Sequence, residues 1–397
     1  MALRGHLGGF FMRIFLGILL AVILVAGGFV FFILPARIDA DMNVVRPHAA
    51  YTPSDEAEAL HATLPVADLH SDMLLWMRDP TRWNDRGHTD LPRLRAGGVA
   101  LQVFASVTKT PSGQNYDSNT ADSDDITALA IVQRWPIRTW SSILERAVYH
   151  ADRLNRLAER DDSFTVVRTR ADLEAVLAAR ETDPTALAGL LETEGAHPLE
   201  GDLANIDVLW DAGYRMLGLQ HFFDNELGGS LHGVSNAGLT EFGRDVIRRM
   251  DERGLIIDVA HSSPQVVEEV LAMTDSPLVV SHTGVHGHCE VKRNIPDALM
   301  QRIAAGGGLI GIGFWADVTC DDSPEGVAAT LLAAIELVGI DHVALGSDYD
   351  GTVTTTFDAS EYVVLTDRLL DAGLSADEVG QVMGGNTIRF FLENLPQ

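Results

Sequence analysis

The chain has 397 residues, with 29 Lys and Arg against 56 Asp and Glu, a formal charge of −27, and 46% hydrophobic residues. So acidic a chain, without a Lys/Arg-rich stripe, repels phosphate backbones and argues against a nucleic-acid partner, while the apolar content argues against disorder and suffices for one large barrel or two medium domains. Its 2 cysteines exclude a disulfide-dense scaffold and an all-thiolate structural zinc site.

In chain order, residues 1–13 read as a short cytoplasmic tail. Residues 14–34 (IFLGILLAVILVAGGFVFFIL) form 21 uncharged positions preceded by Arg4 and Arg13. That length spans a bilayer and exceeds the roughly 7 to 15 apolar residues of a cleaved signal, so the segment reads as a signal anchor. A signal cleaved after Ala40 is the alternative. Arg37 and Arg46 on the far side are accompanied by Asp39 and Asp41, so the N-terminus is expected in the cytoplasm and the rest of the chain in the periplasm or outside the cell. A buried core helix does not fit a terminal segment that is apolar on every face. No Cys ends this segment, so lipoprotein anchoring is not supported. Residues 35–55 carry three Pro and show neither helical nor strand period, which reads as a stalk.

Residues 56–397 read as one domain in which short β-branched runs alternate with amphipathic stretches. Eight runs stand out, at 65–73, 99–107, 187–195, 214–222, 255–263, 277–283, 309–315 and 342–349. Helical stretches such as GLTEFGRDVIRRMDERG and SPEGVAATLLAAIELVG lie between them and end in Gly. Eight strands alternating with helices predict an α/β fold, a (β/α)8 TIM barrel, rather than a doubly wound sheet, and no G-x-G-x-x-G follows the first strand. The interval 120–180 reads as an elaborated crossover.

In such a barrel the chemistry sits at the C-terminal ends of the strands, and these ends are rich in metal-ligand types. The first run ends in His70-Ser71-Asp72, where strand alternation places His70 and Asp72 on one face. The third ends in Glu194, the fourth in His221, the fifth in His261, the sixth in His282 and the eighth in Asp348. Singly, each has an ordinary explanation: a hydrogen-bonded strand-end histidine, or for Asp348 in GSDYDG a turn or helix cap. Together they predict a metal site, because a buried polar group at the end of an apolar strand is costly unless paired or coordinated. The other histidines have no such pattern, although His286 and His288 follow His282 closely, and His197 is placed to support the site from behind.

The segments DLHSDM, HTDLPRLRAGGVALQVFA, ETEGAHPLEGDLANIDVLWDAGYRMLGLQH, GLTEFGRDVIRRMDERGLIIDVAHSS, SHTGVHGHCEVKRNIPD, GSDYDG and GGNTIRFF, in this order, carry a further signal. The domain resembles the membrane dipeptidase (renal dipeptidase) family of zinc peptidases, within the amidohydrolase-like barrels, from about residue 65 to 390. The resemblance implies two zinc ions per chain: His70, Asp72 and Asp348 on one, His261 and His282 on the other, and Glu194 bridging both. It also implies that His221 contacts the reacting carbonyl and that Arg293 holds the substrate carboxylate. Ala196 stands where the family commonly has a second Gly, and the loop FFDNELGGS after His221 departs from the eukaryotic enzymes, which bears on substrate preference.

The implied chemistry is coherent. Two metals share a water, lower its pKa toward about 7 and present hydroxide to an amide carbonyl. Asp348 then passes the proton to the departing amine, and His221 stabilises the oxyanion. Arg293 matches a free C-terminal carboxylate with its planar fork, so dipeptides are the expected substrates; whether L,D as well as L,L dipeptides are taken is left open by the sequence, although a site anchored on the carboxylate allows both. The set of His and carboxylate ligands also suits Mn or Co. Cys289 and Cys320 follow neighbouring strands, where a disulfide is geometrically plausible and two free thiols are the alternative; the resemblance implies the bond. Other hydrolase reactions on lactams or N-acyl amino acids, and a metal-binding surface protein without turnover, are the competing functions. The oligomeric state is open, a homodimer included.

Overall fold

The computed structural model describes residues 3–397, so the first two residues of the expected tail lie outside the described residues. Helix Leu3–Gly28 continues through a π-helical turn, Phe29–Ile33, into helix Leu34–Met42. The stretch Phe10–Met42 is long and apolar enough to cross a membrane, and its most apolar window has a mean hydropathy of 2.9 with no residue buried.

The expectation of an unstructured stalk over 35–55 is corrected at its start. Leu34–Met42 is helical, and its Asp39 is buried against the barrel, where it pairs with Arg78 at 3.3 Å and Arg86 at 2.9 Å. Val44–Val45 then pairs in parallel with Thr354–Thr355. In this short window Leu34, Ile38 and Met42 are interspersed with the charged Arg37, Asp39 and Asp41, and the ion pairs of Asp39 with Arg78 and Arg86 fix the helix against the barrel.

Eight parallel strands close the barrel: β1 (Val66–Ser71), β2 (Val99–Val107), β3 (Leu187–Glu194), β4 (Tyr214–Gly218), β5 (Ile256–Asp258), β6 (Val279–Thr283), β7 (Leu309–Ile312) and β8 (Val343–Leu345). Each pairs with its neighbour in sequence, β2 with β3 from Leu101↔Ala188 to Val107↔Glu194, and β8 with β1 through Leu345↔Asp68. A three-residue strand absent from the sequence reading, Phe164–Val166, pairs beside the start of β3. The 120–180 crossover contains helices Asp125–Val132, Ile143–Ala158 and Arg170–Ala179.

Alternate strand residues, among them Ala67 and Leu69, Leu101 and Val103, and Ala188 and Leu190, form one buried apolar cluster, joined by Phe390 and Phe391 of the C-terminal helix. The opposite faces of the strands pack in the larger cluster with the surrounding helices, for example Phe104 and Leu191 with Leu154 and Ile206. This two-sided burial is why the strands read as near-continuous apolar runs. The observed strands are shorter than the runs, so His221, His261 and Asp348 each lie three residues beyond a strand, in the βα loops of the barrel mouth.

Candidate active site

The predicted ligands converge on Glu194, the last residue of β3. Its Oε1 lies 3.0 Å from Nε2 of His261, 3.4 Å from that of His282, 3.5 Å from that of His221 and 3.7 Å from that of His70. His70 Nε2 is 3.6 Å from Asp72 Oδ2 and 4.0 Å from Asp348 Oδ1. Three sets of donor atoms gather within 4.8 Å: His70, Glu194 and His282; Glu194, His221 and His261; and His70, Asp72 and Asp348.

Simple strand alternation does not produce this geometry alone. The β1–β2 ladder is irregular between Asp68 and Ser71, and the β6–β7 ladder between Val280 and Thr283, so the backbone departs from regular pairing where His70 and His282 sit. Asp72 lies just past β1 with φ −91° and ψ 24°. Asp348 has φ +60° and Asp350 φ +66°, a backbone region that side-chain-bearing residues adopt only when their surroundings hold them there. Gly351 makes room beside them: a Cβ there would stand 2.1 Å from Asp348 Oδ1 and 2.7 Å from Asp72 Oδ2. Asp350 anchors the loop from below through Arg78 at 2.6 Å and the backbone N–H of His88 at 2.7 Å, and these contacts hold its carboxyl well below the usual range despite burial.

The electrostatics call for a cation. Burial, followed by neighbouring Arg293 and the other imidazoles, pushes His261 well below its ordinary pKa, and burial does the same to His282 and His221. Neutral imidazoles are the form that coordinates metal. Burial, then the repulsion of Asp72, raises Glu194 far above the carboxylate range, and burial raises Asp348 to about 8. A carboxylate oxygen has two lone pairs and cannot serve four imidazoles. His70 Nε2 and Asp72 Oδ1 are buried without a hydrogen-bond partner. Despite burial, His70 is instead drawn well above its ordinary pKa by Glu194 and Asp72, a positive charge in the place a metal cation would take. Carboxylates forced to protonate, three neutral imidazoles and orphaned donor atoms together fit a bound metal.

Arg293 is 1% exposed, and its guanidinium donates from Nη1 to Ala260 O at 2.9 Å and from Nη2 to His282 O at 3.0 Å. Its Nη2 also stands 3.3 Å from His261 Nε2. His197 does not touch the cluster: both ring nitrogens are unpartnered, and the ring packs on Phe223 with centroids 4.6 Å apart. The ring fills the space beside Gly195, where a Cβ would stand 2.3 Å from it. His286 and His288 do not line the cavity, whose volume is about 950 Å3 and which all the predicted site residues except His70 line. Cys289 and Cys320 are joined in a disulfide with Cα atoms 5.7 Å apart.

The sequence reading missed the groups that hold the ligands. Glu192 faces His70 Nδ1 at 3.3 Å, and Asp258 reaches His282 Nδ1 through Ser281. Glu192 was detectable, since it lies two residues before Glu194 and shares its face of β3. Asp258 and Ser281 carry no such signal, because their pairing crosses from β5 to β6.

Residues 54–394 match the family model "Membrane dipeptidase (Peptidase family M19)". Dipeptidase aclJ of Aspergillus oryzae is 26% identical over 84% of this chain and 78% of its own length, and dipeptidase tcpJ of Claviceps purpurea is 27% identical over 77% and 69%. Among solved structures, a metallopeptidase from Rhodobacter sphaeroides liganded with a phosphinate mimic of L-Ala-D-Ala superposes with a TM-score of 0.68 at 24% identity, over 84% of this chain and 99% of that one. The probable dipeptidase PvdM of Pseudomonas aeruginosa superposes with a TM-score of 0.71 at 19% identity, over 86% and 98%. With a family match that spans the whole barrel and a donor set that fits metal, this chain belongs to the membrane dipeptidase family, the metallopeptidases of family M19.

Proposed function

We propose that this protein is a membrane-anchored dizinc dipeptidase that cleaves dipeptides with a free C-terminal carboxylate, L,D as well as L,L. The observation that carries the reading is the position of Glu194, whose Oε1 lies 3.7 Å from His70, itself gathered with Asp72 and Asp348, and 3.0 and 3.4 Å from His261 and His282, whose Nε2 atoms are 3.0 Å apart. His70, Asp72 and Asp348 would hold one zinc, His261 and His282 the second, and Glu194 both. When bound, such a pair supplies Lewis acidity and lowers the pKa of water, making a nucleophile available at neutral pH.

The chain's own groups perform the rest. Arg293 uses two of its five donors on backbone carbonyls, and those left free match a substrate carboxylate. Asp348, 4.0 Å from His70 Nε2 and lining the cavity, is placed to accept the proton of the attacking water as a carboxylate and deliver it to the amine. His221 Nδ1 faces the Lys109 carbonyl at 3.5 Å, which orients the ring so that Nε2 is placed to contact the oxygen of the reacting carbonyl. The phosphinate in the Rhodobacter structure mimics L-Ala-D-Ala, which supports acceptance of a C-terminal D-residue here.

Residues 1–13 are proposed as a cytoplasmic tail, 14–34 as the membrane span and 56–397 as the catalytic domain outside the cytoplasm. The disulfide supports an oxidising compartment. The burial of Asp39 supports an uncleaved anchor, since cleavage after Ala40 would take its carboxylate away from Arg78 and Arg86. The test is elemental analysis of the detergent-solubilised full chain together with hydrolysis of an L,L and L,D dipeptide panel with and without chelator. Near two zinc ions per chain and chelator-sensitive cleavage are expected; a folded protein with one metal, or with two metals and no cleavage of any dipeptide, refutes the proposal.

A further inference from the structure

The active-site cavity is larger than a dipeptide requires, and part of its wall comes from outside the barrel. Its volume of about 950 Å3 lies near the top of the roughly 300–1,000 Å3 range of sites that enclose drug-sized ligands. Leu34, Ile38 and Met42, spaced i, i+4, i+8 on the helix that continues the apolar N-terminal span, line it. Across from them, Ile126 and Leu129 of helix Asp125–Val132, with Trp76, complete an apolar arm. Ile38 and Leu129 both pack against the buried cluster that contains Trp76 and Ile126.

This wall is held in place. Asp39 on the same helix is 2% exposed between Arg78 and Arg86, and Asn43 donates to its carboxylate at 2.9 Å while accepting from the Thr352 backbone N–H at 3.0 Å. Thr352 belongs to the loop that carries Asp348, so the segment is tied directly to the active-site rim. The arm also has a direction. Trp76 Nε1 donates to the Asp350 carbonyl at 2.7 Å, in the loop that carries Asp348, whereas Arg293 Nη2 donates to the His282 carbonyl and lies 3.3 Å from His261 Nε2. A substrate whose carboxylate sits on Arg293 therefore runs its N-terminal residue toward the arm.

We infer that the arm built by Leu34, Ile38 and Met42 against Trp76, Ile126 and Leu129 is a specificity site for a large apolar side chain on the N-terminal residue of the substrate. The anchor segment is then part of the active site, and not only a tether. The inference rests on the dipeptidase reading. An apolar pocket that accepts or loses methylenes discriminates by roughly 10- to 200-fold, which sets the scale of the effect.

The experiment compares kcat/KM on the full chain in detergent for Ala-Ala, Phe-Ala and Ala-Phe, in the parent and in Ile38→Asn and Leu129→Asn, which polarise opposite walls. Ratios between substrates within one preparation do not depend on the fraction of folded enzyme. The parent is expected to prefer Phe-Ala over Ala-Ala by about tenfold or more, and each variant to bring that ratio down at least about fivefold through KM while the Ala-Phe to Ala-Ala ratio stays within about twofold of the parent. A parent ratio near one, variants that keep the parent's ratio, or variants that lower all three substrates equally overturn the inference and leave the dipeptidase reading standing. Failure of the metal-loaded parent to cleave any of the three, nor any member of the wider L,L and L,D panel, removes both.

Discussion

Ser281→Ala probes how the fold presents His282, a proposed metal ligand, without touching that residue itself. Ser281 Oγ donates to Asp258 Oδ2 at 2.8 Å and lies 2.9 Å from His282 Nδ1. The Asp258 carboxylate also accepts from the backbone N–H groups of Ala260 at 3.1 Å and Ser281 at 2.8 Å, which fixes its place between β5 and β6. Because the hydroxyl proton is committed to Asp258, the oxygen accepts from His282 Nδ1–H, and Nε2 keeps the lone pair that faces Glu194 at 3.4 Å. Asp258 is 3% exposed, Ser281 0% and His282 1%, so water does not replace what is lost. Removing the hydroxyl deletes one bond to a charged group, about 1.5–3 kcal/mol, and one neutral bond, about 0.5–1.5 kcal/mol, for a total of roughly 2–4.5 kcal/mol in stability. Zinc affinity should fall about 10- to 100-fold, as for other groups that orient a ligating imidazole. Competition for zinc with a chromophoric chelator reads the second quantity, and denaturant unfolding of the metal-free protein the first. Zinc affinity within about threefold of the parent, alongside the expected loss of stability, would refute the orienting role and leave Ser281 as a packing residue.

Four further outcomes are expected. Glu194→Gln should lose zinc and hydrolysis together, and full activity in that variant sinks the bridging assignment. Arg293→Ala should lower kcat/KM about 100-fold or more, mainly through KM, by removing two charge-assisted hydrogen bonds worth about 1.5–3 kcal/mol each; equal kcat/KM for free and amidated dipeptides in the parent would contradict it. His150 is buried with both ring nitrogens unpartnered, and burial followed by Arg153 and Arg146 depresses its pKa well below 6.5. A depressed base contributes stability that is present above its unfolded pKa and lost as pH falls, so His150→Leu should gain on the parent in thermal unfolding as pH drops below about 6.5; a constant gap from pH 5 to 8 would refute this. Cys320→Ser opens a loop spanning 31 residues, for a chain-entropy loss of about 4 kcal/mol in denaturant unfolding, and an unchanged midpoint would show the disulfide to be energetically idle.

The barrel was legible because a parallel strand covered on both faces must be apolar throughout, and eight such runs interrupted by amphipathic helices have few other solutions. The candidate ligands stood out for the opposite reason: a histidine or carboxylate at the end of an apolar run is conspicuous, as Glu194 is after LAGLLET. Strand ends were less legible, since the apolar run continues past the last ladder bond into the loops that hold His221, His261 and Asp348. The order of the segment after the apolar N-terminal helix has no local signal, because it comes from partners far away in sequence. Asp39 finds Arg78 and Arg86, and Val44–Val45 finds Thr354–Thr355.

The sequence by itself determined the barrel, the apolar N-terminal helix and the residues that could hold metal, because each follows from local periodicity, from composition or from a residue type at a strand end. Only the tertiary structure decided that one oxygen of Glu194 meets four imidazoles, that Asp258 orients His282 through Ser281, and that the helix leaving the apolar span walls the active-site cavity. These are contacts between segments tens to hundreds of residues apart, made by closing the barrel, and no local pattern encodes them.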